Sequence, residues 1–403
     1  MHTKTELPNY RNLLNYLNRY NSLKEPLPTT LINLQLVQIQ LAADVFSSDV
    51  ERQNALNRVI GNCIDLLENR YPEQADLLTR RFIYEQPESI RDIARQNSGE
   101  TDLKDPEFTK EQARLNQLQK QAITELLIIL LAEEKKATEQ HKSQMAQRLG
   151  GASYDLLVGT DRLENELIDL LKPDSDKHIV VLTGQGGIGK TSLADKVIRQ
   201  AIQQLPLDTF LRVDATGGVI TPKFLSERLY FNLFGKPLEG QTLHEIEQKL
   251  ILSFTHRPLL VFIDGVEDKL NPLLDKLRQY TGRTKFLITS RERPSNYAQL
   301  SWKEVPSLTK IDGLHLLSHT LNQVHINQSE PIEVPADQFN QVFDKVGGNP
   351  LALKLIATLT QEMSLAQVLG DLRTVDHKDT KELYKRVYER VWNMLDQPSR
   401  QIM

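Results

Sequence analysis

The apolar positions of residues 1 to about 150 follow the spacing of amphipathic helices. Four of them open the pattern at i, i+3, i+4 and i+7: Tyr10, Leu13, Leu14 and Leu17. Two longer stretches with the same periodicity follow, over residues 31–46 and 48–69. Glycine is scarce until Gly150 and Gly151, which mark a helix stop and the start of a linker. The pattern therefore predicts an all-helical N-terminal region over residues 1–150.

From Leu157 to about Val305 the pattern changes to short, nearly continuous apolar runs that alternate with helical ones. Five of these runs predict strands, at 178–183, 209–214, 258–263, 284–289 and 301–305. Strands that helices cover on both faces carry such runs, and the alternation is typical of a parallel sheet. From Pro306 to Met403 the pattern is helical again. We therefore predict an α/β fold with a parallel sheet flanked by helices.

Composition and charge exclude several classes of protein. The net charge is −4 and 25% of the 403 residues are charged, so no strong field favours nucleic acid or a membrane surface. The longest apolar run, 122–132, contains Glu125 and is too short to span a bilayer. The single cysteine, Cys63, excludes an internal disulfide framework, and its apolar neighbours predict a buried side chain. With no signal peptide at the N terminus, these features predict a cytoplasmic protein with no membrane partner.

The most specific motif follows the first predicted strand. The sequence GQGGIGKTS fits the P-loop pattern G-x-x-x-x-G-K-[ST] between a strand and a helix, which is the context that the pattern requires. Glycines let backbone N–H groups turn towards phosphate oxygens, and the N terminus of the next helix adds partial positive charge. Lys190 would contact the β- and γ-phosphates, and the Thr191 hydroxyl would bind Mg²⁺. The expected binding residues are Gly184, Gly186, Gly187, Ile188, Gly189, Lys190, Thr191 and Ser192.

Two polar residues after later strands extend this site, and with Lys190 they are the candidate catalytic residues. Asp264 stands where a carboxylate supports Mg²⁺, although the same residue could simply open a turn with Gly265. Gly265 occupies the position at which many ATPases carry a second acid. The nearest substitute is Glu267, two residues further on, so we expect slow hydrolysis. Arg291 either contacts the γ-phosphate or is a solvated residue at a strand end.

The order of these motifs resembles the NB-ARC class of STAND nucleotide switches, which are relatives of plant resistance proteins and apoptosome proteins. LVGTDRLENEL is similar to the family's opening Val-Gly-Arg-Glu element, and VGGNPLALKLIA to its Gly-Leu-Pro-Leu segment. FIDGV and ITSR match its acidic strand and its sensor arginine, and the resemblance covers about 157–403. It implies that backbone near Val158 and Gly159 contacts adenine and that Pro350 packs on it. Without the resemblance, GGNP predicts only a turn before a helix.

The resemblance also implies a function and a division into domains. It implies an ATP/ADP-dependent switch with slow ATPase activity, in which ADP holds a helical lid, 308–375, closed over a P-loop domain, 151–307. Exchange for ATP would open the chain and permit self-association. Thr160 departs from the family, which often has arginine there. Residues 376–403 resemble the start of the family's winged-helix domain, so we expect the histidine that binds the ADP β-phosphate to lie beyond Met403.

Part of the N-terminal region resembles a second family. Within residues 75–132, SIRDIARQ is similar to the second helix of helix-turn-helix modules in sigma factors and response regulators. In those modules the next helix enters the major groove of DNA. That helix would span 109–132, opened by a capping box of Thr109 and Gln112.

Two observations weigh against DNA binding. The loop over 97–108 is longer than the usual turn of such modules. Residues 1–150 hold 19 Lys and Arg against 21 Asp and Glu, without the basic excess that binding to phosphates requires. A local basic cluster could still come from Arg80, Arg81, Arg91, Arg95, Arg114 and Lys120. Two outputs therefore stay open: a DNA-binding transcription regulator, and an NLR-like signalling or defence protein whose helical N terminus recruits a protein partner.

Overall fold

The computed structural model describes most of the chain, in two compact units. The described residues are 8–20, 27–41, 48–100, 102, 104–215, 220–235, 240–267, 270–280, 282–295, 300–325, 334–361, 363–372 and 392. The units are Met1–Gln144 and Met145–Met403. The predicted start of a winged-helix domain, 376–403, lies outside the described residues apart from Trp392. No described helix combines the length and the apolar character that a membrane span requires.

The first unit has only helices among its described regular elements, as the apolar pattern predicts. They are α1 (Tyr10–Leu17), α2 (Thr29–Ile32), α3 (Gln35–Gln40), α4 (Asp49–Glu68), α5 (Pro72–Leu78) with a π-helical turn over Thr79–Ile83, α6 (Ile90–Ser98) and the first part of α7 (Pro106–Leu149). Cys63 lies in the larger apolar core of this unit, where burial raises the pKa of its thiol to about 12. The prediction of a buried cysteine is confirmed.

Two predictions about helix ends in this unit are wrong. The stretch 31–46 is not one helix, because the carboxylate of Glu134 accepts hydrogen bonds from the N–H groups of Gln35 and Leu36 at 2.7 and 3.0 Å and thereby caps a separate α3. Helix α7 begins before the predicted capping box of Thr109 and Gln112. Its true cap is Asp105, whose side chain accepts from the N–H groups of Glu107 and Phe108, with Pro106 at the first helical position.

The second unit contains a five-stranded parallel sheet, which confirms the predicted fold class. The strands are β1 (Ile179–Thr183), β2 (Thr209–Asp214), β3 (Leu259–Val266), β4 (Lys285–Ser290) and β5 (Leu300–Glu304). Their order across the sheet is β2-β3-β4-β1-β5. The helices of the sheet domain are α8 (Asp161–Leu171), α9 (Lys190–Gln204), α10 (Pro222–Phe234), α11 (Leu243–His256) and α12 (Leu270–Leu277). The helices that follow are α13 (Lys310–Val324), α14 (Ala336–Val346), α15 (Pro350–Leu359) and α16 (Leu365–Leu372).

Alternate residues of the strands enter two different apolar cores. Ile179 and Val181 of β1 pack with α10, α11 and α12, whereas Val180 and Leu182 pack with α8 and α9. Both faces of the sheet are therefore covered, which explains the uninterrupted apolar runs in the sequence. The four helices after the sheet form a third core, and Val158 of the opening segment packs against it.

The sheet order brings the carboxyl ends of three strands together. Because β4 lies between β3 and β1, the loop after β1, the acidic end of β3 and the loop after β4 meet at one edge. Ligands of open parallel sheets bind at this edge.

Candidate functional site

The P-loop lies between β1 and α9 and adopts a conformation that only glycine tolerates. Gly184, Gly187 and Gly189 have φ values of 145°, 74° and 98°, and Gly189 caps α9. The ammonium of Lys190 donates to the carbonyl oxygens of Gly184 and Gln185, each at 2.9 Å. Burial, reinforced by the nearby charge of Arg291, lowers the pKa of Lys190. A phosphate would replace these carbonyls as the acceptor and give the half-buried ammonium a counter-charge.

Asp264 lies at the centre of the candidate metal site. Asp264 is 3% exposed, and one of its carboxylate oxygens accepts from the hydroxyls of Thr191 and Thr289 at 2.8 and 2.6 Å. The other oxygen accepts from the guanidinium of Arg212 at 3.2 Å. The turn that Asp264 could have formed with Gly265 is absent, because both residues belong to β3.

The residues at this position fit a magnesium ion that shares its coordination with a phosphate. Carboxylate and hydroxyl oxygens are the ligands that Mg²⁺ prefers, and Thr191 lies directly against Asp264. Within the described ranges no three His, Cys, Asp or Glu side chains come together as a metal cage. Phosphate and water would therefore have to supply the remaining ligands.

Arg291 follows β4 and lies beside the P-loop. A Cβ atom built on Gly186 would be 3.6 Å from its Nη2 atom, and that same atom lies 2.9 Å from the carboxylate of Glu267. The guanidinium is thus close enough to the loop to meet a bound phosphate after a change of rotamer. Its contact with the γ-phosphate stays a prediction.

A cavity of about 480 Å³ lies between the opening segment, the P-loop and the helices after the sheet. Most of the predicted binding residues line it: Val158, Gly159, Gly187, Ile188, Gly189, Lys190, Thr191, Ser192 and Pro350. Gly184, Gly186, Asp264 and Arg291 lie outside this lining. The volume is in the range of small-molecule sites, and Leu156, Leu308 and Leu316 add apolar walls to it.

Thr160, which replaces the arginine common in the resembling family, also lines this cavity. Its hydroxyl donates to the carboxylate of Glu164, which is 3% exposed and pairs with Lys196 at 2.6 Å. The position is therefore a neutral part of the wall whose polar atom is already satisfied.

Four residues of the site were not predicted from the sequence: Arg212, Thr289, Asn349 and Lys354. Lys354 follows Pro350 by one helical turn and lines the cavity. Asn349 caps α15 and also touches the P-loop, where its amide donates to the carbonyl of Gly186 at 3.0 Å. Only the cap carries a signal in the sequence, since asparagine before a proline is a common start of a helix. The contacts to Asp264 and Gly186 carry none.

Comparisons with known proteins agree with this geometry. Residues 160–326 match the NB-ARC domain family. The chain is 28% identical over 264 residues to the disease resistance protein RPV1 of Vitis rotundifolia, which covers 61% of this chain and 18% of that protein. It is 27% identical over 214 residues to an uncharacterized protein of Mycobacterium tuberculosis, covering 51% of this chain and 52% of the relative.

The chain is also similar to a third curated relative and to one solved structure. The chain is 26% identical over 245 residues to the disease resistance-like protein DSC1 of Arabidopsis thaliana, covering 58% of this chain and 20% of that protein. A STAND protein with a tetratricopeptide repeat sensor from Pyrococcus horikoshii aligns with 18% identity and a TM-score of 0.39, over 60% of this chain and 33% of that one. The chain spans about half or less of the length of these relatives.

Proposed function

We propose that this chain, whose residues 160–326 match the NB-ARC domain family, is a signalling switch controlled by exchange of ADP for ATP. The observation that carries the proposal is the composition of the cavity wall. The P-loop contributes Gly187 to Ser192, whereas the helical lid contributes Pro350, Leu351 and Lys354. A nucleotide between these walls contacts both domains, so its binding free energy depends on where the lid lies.

In the proposed mechanism the phosphates reorganise contacts that the chain now makes with itself. Lys190 leaves the loop carbonyls for the β- and γ-phosphates. Thr191 and Asp264 would hold Mg²⁺, which would neutralise phosphate charge. Arg291 exchanges the carboxylate of Glu267 for the γ-phosphate, so that only ATP recruits it. ATP and ADP then favour different arrangements of lid and nucleotide domain, and the ATP arrangement permits self-association.

The same site favours slow hydrolysis. Gly265, within β3, has no side chain that could orient an attacking water. The next acid after Gly265 along the chain is Glu267, and its carboxylate is paired with Arg291. A nucleotide that is hydrolysed slowly can hold a conformation for long, as a switch requires.

The decisive experiment is an equilibrium titration with fluorescent ADP and ATP. Lys190→Ala should abolish binding, because the variant loses the only lysine among the P-loop residues. Lys172→Ala is the matched control, since Lys172 is a surface lysine that pairs with Asp169 at 2.6 Å. Normal affinity of Lys190→Ala would overturn the assignment of the site. The switch itself is tested by light scattering, in which a non-hydrolysable ATP analogue, but not ADP, should increase the molecular mass.

We propose that the N-terminal helices transmit the signal by binding a protein partner rather than DNA. Arg80 donates to the carboxylate of Glu88 at 3.0 and 2.9 Å, and Arg114 donates to Glu111 at 2.8 and 2.9 Å. Arginines whose charge is already neutralised contribute little to binding phosphates. The DNA-binding alternative is supported by the common core of α5, α6 and α7, the three helices of the resembling segment.

An electrophoretic shift assay with the whole chain and random duplex DNA separates these outputs. We expect no shift at low salt with either ADP or an ATP analogue bound. A shift that disappears steeply with rising salt would overturn the preference for a protein partner and support the transcription regulator.

A further inference from the structure

Asn349 connects the lid to the P-loop with both ends of its side chain. It is 2% exposed, and its Oδ1 atom accepts from the N–H groups of Leu351 and Ala352 at 3.0 and 3.3 Å. These two donors define which end of the amide is the oxygen. The NH₂ group therefore faces the carbonyl of Gly186, to which it donates at 3.0 Å.

A second contact from the lid holds the next peptide of the loop. The N–H group of Leu351 also lies 3.3 Å from the carbonyl oxygen of Gly187. The two backbones approach so closely that a Cβ atom on Gly187 would be 2.8 Å from Cβ of Leu351. Two successive carbonyls of the P-loop, those of Gly186 and Gly187, are thus bound by the first turn of α15.

Binding these carbonyls determines where the neighbouring N–H groups point. In a planar trans peptide the C=O and N–H bonds point in opposite directions. The N–H groups of Gly187 and Ile188 are therefore directed away from the lid contact. That of Ile188 points to the carbonyl of Gln185 at 3.4 Å, the same oxygen that accepts from Lys190 at 2.9 Å. The N–H group of Ile188 therefore faces the part of the loop in which the ammonium of Lys190 lies, which is the cradle for phosphate.

We propose that Asn349 is a positioning residue that stabilises the phosphate-binding conformation of the P-loop when the lid is closed. The inference rests on the proposed function and adds the route by which lid and phosphate are coupled. Closure of the lid orders the N–H donors for the phosphates of ADP, and bound ADP in turn stabilises the closed lid. Such coupling is reciprocal, so a change at Asn349 alters both nucleotide affinity and lid closure.

Two substitutions separate this role from capping of α15. Asn349→Ser and Asn349→Asp both keep an oxygen that can cap the helix, and neither side chain donates to Gly186 as the amide does. We expect ADP to bind about tenfold more weakly to both, chiefly through faster dissociation, because removing a contact mostly changes the dissociation rate. ADP should also protect the amides of α15 less from hydrogen exchange than it does in the unaltered chain.

The matched control is Ser364→Ala, which removes the cap of another lid helix, α16, far from the P-loop in sequence. It should lower the Tm without changing ADP affinity. If Asn349→Ser and Asn349→Asp lower the Tm but bind and release ADP as the unaltered chain does, Asn349 only caps α15 and the inference is overturned. That outcome leaves the proposed function intact, whereas failure of the unaltered chain to bind ADP would remove the proposed function itself.

Discussion

The guanidinium of Arg291 and the carboxylate of Glu267 form an ion pair of 2.9 Å beside the P-loop. Their side chains are 61% and 51% exposed, so the pair contributes at most about 1 kcal/mol. A phosphate with two negative charges can therefore take over the arginine. Glu267 thus competes with the γ-phosphate in the proposed mechanism.

This competition predicts the effect of Glu267→Gln. The variant should raise the affinity for ATP about threefold and leave ADP affinity unchanged, because only ATP engages the released Arg291. Arg291→Gln should remove the part of the affinity difference between ATP and ADP that comes from the contact with the γ-phosphate. Binding measured with ADP and a non-hydrolysable ATP analogue checks both variants. A large loss of turnover in Glu267→Gln would instead identify Glu267 as the group that activates water.

A second prediction concerns Arg212 and the magnesium concentration that ATP binding requires. Its guanidinium lies 3.2 Å from the carboxylate of Asp264 and over the ring of Phe262. Arg212→Met keeps an apolar stem on that ring and removes a positive charge that opposes the metal. The Mg²⁺ concentration needed for half-maximal ATP binding should fall about threefold. A rise in that concentration would mean that Arg212 chiefly orients Asp264.

A third prediction is that a substitution of Gly187 lowers both the stability of the fold and the affinity for ADP. Gly187→Ala forces an L-residue to φ 74° and brings its Cβ within 2.8 Å of Leu351. Gly235→Ala is the control, because Gly235 has φ 63° and nothing within 4 Å of the added atom. We expect about 1 kcal/mol of destabilisation for the control and about 2–4 kcal/mol for Gly187→Ala, measured by urea unfolding. Only Gly187→Ala should also weaken ADP binding, and equal effects of the two variants would contradict the close contact with the lid.

A fourth prediction is that the buried Lys285 makes the unfolding free energy depend on pH. This β4 residue is 2% exposed and donates to the carbonyls of Ser175 and Lys177 at 2.7 and 2.9 Å. Burial lowers its pKa from 10.5 to about 8, so below pH 8 the buried charge costs up to about 3 kcal/mol. Between pH 8 and 10.5 the folded chain has released a proton that the unfolded chain still binds, and stability therefore rises with pH.

The measurement is urea unfolding of the unaltered chain and of Lys285→Met at several pH values over this range. The unfolding free energy of the unaltered chain should rise relative to that of Lys285→Met as the pH increases. Parallel curves for the two proteins would show that Lys285 keeps an ordinary pKa.

Much of the fold could be predicted because each signal is local in sequence. The five strands lie within a few residues of their predicted positions, since a run of apolar residues between turns needs no partner to be recognised. The P-loop was predicted for the same reason, as Gly184 to Thr191 are consecutive and each has its own steric or chemical requirement. The start of α7 was not predicted correctly. Asp105 and Thr109 both satisfy the general pattern of a helix cap, and only the path of the backbone selects Asp105.

The sequence by itself determined which residues could bind phosphate and metal, since Lys190, Thr191 and Asp264 stand in short motifs next to strands. Only the tertiary structure decided what surrounds them. Arg212 meets Asp264 across two paired strands, and Asn349 meets Gly186 across 163 positions of the chain. An arginine in a strand and an asparagine before a helix are common, so neither residue type predicts such a contact. It arises because the sheet order and the packing of the lid place distant backbone segments within hydrogen-bonding distance, and no local pattern encodes that distance.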